Sequence, residues 1–158
     1  MTKATVCVQL PNMTWGQPPF YAHKMIADTL QPNAVTWSMT SSDGYNASNL
    51  NGIVSAQASD DGTDVTVRFI NPRTTPVLLD VTLKGGRGCI SALLSPAITA
   101  TVSILHSANL YDANTPAHPM AVSPVTSAVD DLHNVHVPAN SFAILTATGF
   151  RCTSSDDE

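Results

Sequence analysis

The chain has 158 residues, of which 43% are hydrophobic and only 12% charged, a size for one domain that buries roughly 70% of the surface its unfolded chain exposes. Seven Lys and Arg against twelve Asp and Glu leave a net charge of −5, which excludes the basic face that a phosphate-tracking nucleic-acid binder needs. The only Glu is Glu158, the last residue, while Val and Thr together number 32; such a chain is not a helical bundle and holds no pair of internal glutamates.

In chain order, Val6 and Val8 predict a short strand from Thr5 to Gln9, followed by a loop from Pro11 to Gln17. Pro18-Pro19 fits a helix start, because proline is pre-organised for the first turn. Tyr21, Ala22, Met25, Ile26 and Leu30 then recur at helical spacing, and Gln31-Pro32-Asn33 stops the run. After residue 34 the period becomes two. Val65, Val67 and Phe69 alternate with polar residues behind the turn Asp60-Asp61-Gly62, and Leu79, Val81 and Leu83 do the same ahead of Gly85-Gly86-Arg87-Gly88. Ile98, Ala100, Val102 and Ile104 form a third alternating run. Val135 and Val137 precede a Pro138-Ala139-Asn140 turn, and Phe142 and Ile144 follow it. Asn109 to Pro124 shows no alternation and reads as a long surface connection.

Short alternating strands separated by Gly, Pro and Asn turns specify an all-β chain, an antiparallel two-sheet sandwich of the jelly-roll kind. Each strand buries one face, so two sheets pack face to face. One helix ahead of the strands suits the end of one domain joined to the whole of another. The division expected is residues 1–34, residues 35–152 as the sandwich, and residues 153–158 as a disordered acidic tail.

Chemistry is sparse. Glycoside hydrolysis takes two carboxyls about 5–5.5 Å apart for retention or roughly 6.5–9.5 Å for inversion. Asp60-Asp61 and Asp130-Asp131 are adjacent among turn residues, and neighbours on an extended chain face opposite ways, so both pairs read as solvated turns. His133 and His136 bracket a strand and do not share a metal. His106 or His118 with Asp112 offers a base and its orienter, but Ser107 lacks a nucleophile's surroundings. Gly85 to Gly88 lacks a Gly-Lys-Ser/Thr ending and a following helix; it is a turn. Cys7, Cys89 and Cys152 are too scattered for a disulfide scaffold or a zinc site, and read as separate thiols. Asn12-Met13-Thr14 and Asn46-Ala47-Ser48 match the glycosylation sequon. No apolar run approaches the ~20 residues of a membrane span, and no signal-peptide pattern opens the chain. No cofactor, metal, nucleic acid or membrane is expected as a partner.

Two stretches carry a resemblance. Trp15-Gly16-Gln17-Pro18-Pro19-Phe20-Tyr21 is similar to the Trp-x-Gln-x-x-Phe-Tyr that opens the last catalytic-barrel helix of family 51 α-L-arabinofuranosidases. The run from Leu105 through Ser107, Asn109, Asp112 and Asn114 to Pro138-Ala139-Asn140-Ser141-Phe142 resembles the closing part of that family's C-terminal β-sandwich, and Val65 to Asn71 fits its strand ending in Asn. The resemblance implies a non-catalytic C-terminal portion: the last barrel helix plus the sandwich, with the two catalytic glutamates upstream. No catalytic residue is then expected here. Gln17, with Trp15 beside it, is the candidate sugar contact; a loop amide capping the Pro18 helix is the plainer role for Gln17. The implied partners are the missing barrel and an arabinose-containing glycan. Without that barrel, the face of Tyr21, Met25 and Ile26 must fold onto the sandwich, pair with another copy as a homo-oligomer, or stay exposed. A free-standing carbohydrate-binding or assembly sandwich, and a neighbouring barrel-hydrolase family of other sugar specificity, are the competing readings.

Overall fold

A computed structural model describes residues 7–37, 53–82, 98–109 and 111–149. Among these residues, ten strands and one helix run in the order β1 (Cys7–Leu10), β2 (Met13–Gly16), α1 (Pro18–Asp28), β3 (Val35–Trp37), β4 (Ile53–Ala58), β5 (Asp64–Asn71), β6 (Val77–Leu79), β7 (Thr99–His106), β8 (Val125–Ala128), β9 (Val135–Val137) and β10 (Ser141–Thr148). The main sheet has the antiparallel order β3-β4-β5-β10-β7-β8, and β6 pairs with β9 in a second, smaller sheet. The all-β antiparallel fold expected from the alternation is the one formed.

The period-two pattern sets the inner face. Val65, Val67 and Phe69 of β5 lie opposite Ala147, Leu145 and Ala143 of β10, which in turn face Ala100, Val102 and Ile104 of β7. Small residues beside large ones let this layer interdigitate with Val135 and Val137 of β9 and with Val77, Leu79, Val81, Val129 and Leu132. Asn71, 1% exposed, explains why β5 ends in that residue. Its amide donates to Thr75 O at 3.0 Å and Pro138 O at 2.8 Å, and its carbonyl accepts from Arg73 N at 3.1 Å. The end of β5 is thereby clipped to the turn that leads into β10. In that turn Asn140 takes the left-handed conformation, φ 48°, which Asn tolerates.

The opposite face is also buried. Leu105 and Ile144 pack with Met25 and Val122, flanked by Tyr21, Ala22 and Phe142. Of the three fates open to the helix's apolar face, α1 folds onto the sandwich through Tyr21, Ala22 and Met25, whereas Ile26 stays 37% exposed. β10 is therefore covered on both sides.

Several local expectations are revised. The loop read from Pro11 to Gln17 contains β2, because Pro11-Asn12 is a two-residue turn that folds Met13 to Gly16 back on β1 with Leu10 opposite Met13. Gly16 is required there, since a Cβ would overlap the Phe20 ring. The alternation through Leu79 and Val81 is strand only to Leu79; Val81 N instead donates to Leu132 O at 2.9 Å. Gly85 to Gly88, the sequon at Asn46, Cys89, Cys152 and the acidic tail lie outside the described residues.

Two measurements check this packing. Ile144→Ala, which empties a 1% exposed site, should lower unfolding free energy by about 2–5 kcal/mol in denaturant titration. A smaller, pH-dependent effect comes from His133, whose Nδ1 lies 2.5 Å from Asp80 Oδ1 and whose proton affinity that hydrogen bond raises. The stabilisation is full below the ordinary histidine value and is lost as pH rises through the raised folded value. As pH rises from about 6.5, the ordinary histidine value, the unfolding midpoint should therefore fall more for the native chain than for His133→Gln.

Candidate functional site at the ends of the helix

The residues flagged at the β2–α1 junction converge on one partner, Asn114, in the long connection between β7 and β8. Trp15 Nε1 donates to Asn114 O at 3.0 Å, and Gln17 Nε2 donates to the same oxygen at 2.9 Å. Asn114 N returns a bond to Gln17 Oε1 at 3.1 Å. The Asn114 side chain donates to Gly16 O at 2.8 Å and Val122 O at 2.9 Å, and accepts from Val122 N at 2.7 Å. Every polar group of Asn114, 3% exposed, is thus bonded, as a buried amide requires.

This arrangement decides what Trp15 and Gln17 present. Trp15 is 7% exposed, with its ring covered and its N–H engaged. Gln17 is the residue before the first turn, in extended conformation, and its side chain makes no cap bond to the helix. Its amide pairs with the Asn114 backbone instead, leaving one amide hydrogen over. The first turn is closed by Phe20 N to Gln17 O at 2.8 Å.

The far end of α1 is held from the sheet. Thr29 O accepts from Gln57 Nε2 and from Arg68 Nη2, each at 3.1 Å, and Arg68 Nη1 donates to Gln57 Oε1 at 2.9 Å. A guanidinium there meets both the terminal carbonyl of Thr29 and the negative end of the helix dipole. Partial burial lowers the Arg68 pKa, though a guanidinium stays charged.

Between these two clamps, on the outer face of the main sheet, runs an open groove of about 510 Å³. Its floor is apolar, formed by Ala22, Ile26, Ile70, Leu105 and Phe142, and its rim carries His106, Asn109 and Asp112. The rim is not a nucleophilic triad. Ser107 Oγ donates directly to Asp112 Oδ2 rather than to a histidine, and His106 Nδ1, 2.9 Å from Ala139 O, carries its proton toward that carbonyl. Asn109 Oδ1 accepts from Tyr111 N at 3.0 Å. These bonds brace a loop.

The two Asp pairs lie at turns. Asp61 accepts from Ser59 Oγ at 2.6 Å, Thr63 Oγ1 at 2.9 Å and Thr63 N at 3.1 Å, which hold its carboxyl below the usual range. Asp131 Oδ1 accepts from His133 N at 2.8 Å. Asp61 and Asp131 thus brace their turns, and all four Asp are exposed, as solvated turns are. Among the described residues no three His, Cys, Asp or Glu side chains converge as metal ligands, and no helix is long and apolar enough to cross a membrane. Sequence reasoning missed Asn114 as the organising residue. Its only signal was position, as the last residue of the Asn-x-x-Asp-x-Asn run in a stretch without alternation.

No protein-family model and no curated protein matches the chain. Solved structures do. An arabinose-bound family 51 α-L-arabinofuranosidase is similar over 94% of this chain and 22% of its own, with TM-score 0.65 and 18% identity. A family 51 α-L-arabinofuranosidase from Bifidobacterium longum is similar over 89% of this chain and 27% of its own, with TM-score 0.59 and 20% identity. The catalytic domain of a GH30 xylanase from Talaromyces cellulolyticus is similar over 90% and 27%, with TM-score 0.55 and 17% identity. The chain spans less than a third of each of these proteins, and what it shares with them is a fold.

Asn114→Asp keeps the side-chain shape but removes the donor facing Gly16 O and Val122 O. Two buried carbonyls losing their partner beside a new buried charge should lower stability by about 3 kcal/mol or more. Amide exchange at Phe20 and Tyr21 should speed up with it, while Asn109→Asp on the exposed rim leaves both nearly unchanged.

Proposed function

We propose that the chain is the non-catalytic C-terminal portion of an α-L-arabinofuranosidase-like glycoside hydrolase. Residues 1–34 are the end of its catalytic barrel and residues 35–152 the β-sandwich that scaffolds it. The observation that carries this reading is the asymmetry of the fold likeness: 89% and 94% of this chain against 27% and 22% of two arabinofuranosidases. The ordered motifs Trp15-x-Gln17-x-x-Phe20-Tyr21 and Asn109-x-x-Asp112-x-Asn114 support it from the side of the residues. The fold likeness to a xylanase does not by itself choose the sugar; those motifs favour arabinofuranose.

The parent releases terminal arabinofuranosyl groups from arabinose-containing polysaccharides with one carboxyl as acid/base and another as nucleophile. Both are glutamates in the barrel, consistent with a chain whose single Glu is Glu158. The barrel is the partner for the apolar strip of Ile26, Leu30 and Ile70, which are 37%, 62% and 38% exposed and would otherwise invite a second copy of the chain. In this reading Gln17, through its remaining amide hydrogen, and Trp15 behind it stand at the rim of the parent's sugar pocket. Their pairing with Asn114 sets the position of that rim.

A decisive observation is the coding sequence upstream of Met1, expected to encode a barrel with paired glutamates. The chain by itself should not hydrolyse an aryl arabinofuranoside, and turnover that a substitution within residues 7–149 abolishes would overturn the proposal. Titration with arabinan oligosaccharides should give no saturable signal. A carbohydrate-binding module would give one, although the buried Trp15 ring is poorly placed to stack on sugar.

A further inference from the structure

The sequon Asn12-Met13-Thr14 is not used by any contact described so far, and the fold places it where an oligosaccharide fits. Asn12 is the second residue of the two-residue turn that joins β1 to β2, and both Asn12 and Thr14 are exposed. Neither side chain hydrogen-bonds to another described residue. The position after Asn12 is Met, so no proline blocks the tripeptide. Leu10 and Met13 sit opposite each other beside the turn, each 42% exposed, an apolar pair that the first sugar of a glycan would shield.

We infer that Asn12 is an N-glycosylation site, which in the proposed parent requires that the barrel leave the β1–β2 turn exposed. The reaction transfers an oligosaccharide from a polyisoprenyl diphosphate donor. The Asn12 amide nitrogen bonds to the anomeric carbon, the lipid diphosphate leaves, and the amide gives up one proton. Because the turn projects from a two-stranded hairpin outside the main sheet, the folded chain accommodates the added bulk without repacking a core.

The test is translation of the full chain behind a cleavable secretory signal in the presence of microsomal membranes, with Asn46→Gln removing the second sequon. Protection from added protease identifies the translocated chains. These should run as a shifted species that collapses on treatment with peptide N-glycosidase. The shift should vanish in Asn12→Gln and in Thr14→Ala, and persist in Thr14→Ser, which keeps the hydroxyl. Protected chains of unshifted mobility would overturn the assignment.

Discussion

Strand β10 is buried on both faces. Ala143, Leu145 and Ala147 face the layer containing β9, while Ile144 faces Met25 of α1. A strand with that composition cannot leave either side to water, so the main sheet needs two covers. The second sheet, β6 with β9, is one. The helix and the connection carrying Val122 are the other, and this requirement explains why α1 lies on the sandwich rather than apart from it.

Covering a sheet with a short helix and an irregular segment brings backbone polar groups out of water, and those groups need partners. Asn114 answers this at one end of α1 and Arg68 with Gln57 at the other. The two solutions differ in kind. At the N-terminal end, an amide side chain and its own backbone serve Trp15, Gly16, Gln17 and Val122 together. At the C-terminal end, a cation on the sheet's outer face donates to the Thr29 carbonyl, which the helix cannot satisfy, near the negative pole of its dipole. The groove along Ile26, Ile70 and Phe142 is what neither cover fills.

Much of this was legible in the residues. The alternation in Val65 to Phe69 and Ile98 to Ile104 marked the two strands that flank β10, and Pro18-Pro19 with its helical spacing marked α1. β4 and β8 were not legible for opposite reasons. In β4 the inner positions Ala56 and Ala58 are too small to stand out, and β8 is exposed along its whole length as an edge strand, so it shows no apolar period. β2 was masked by the turn residues on both sides of it. The roles of Trp15 and Gln17 were not legible at all, because their partner is 97 to 99 residues away.

By itself the sequence determined the class of the fold, the helix start and the absence of an internal glutamate pair. These depend on local period, on proline's fixed geometry and on composition, none of which needs a distant contact. Only the tertiary structure decided that α1 covers the back of β10, that Asn114 organises the β2–α1 junction, and that Ser107, His106 and Asp112 brace a loop. Those outcomes depend on which polar groups are buried together, and burial is a property of the whole chain once folded.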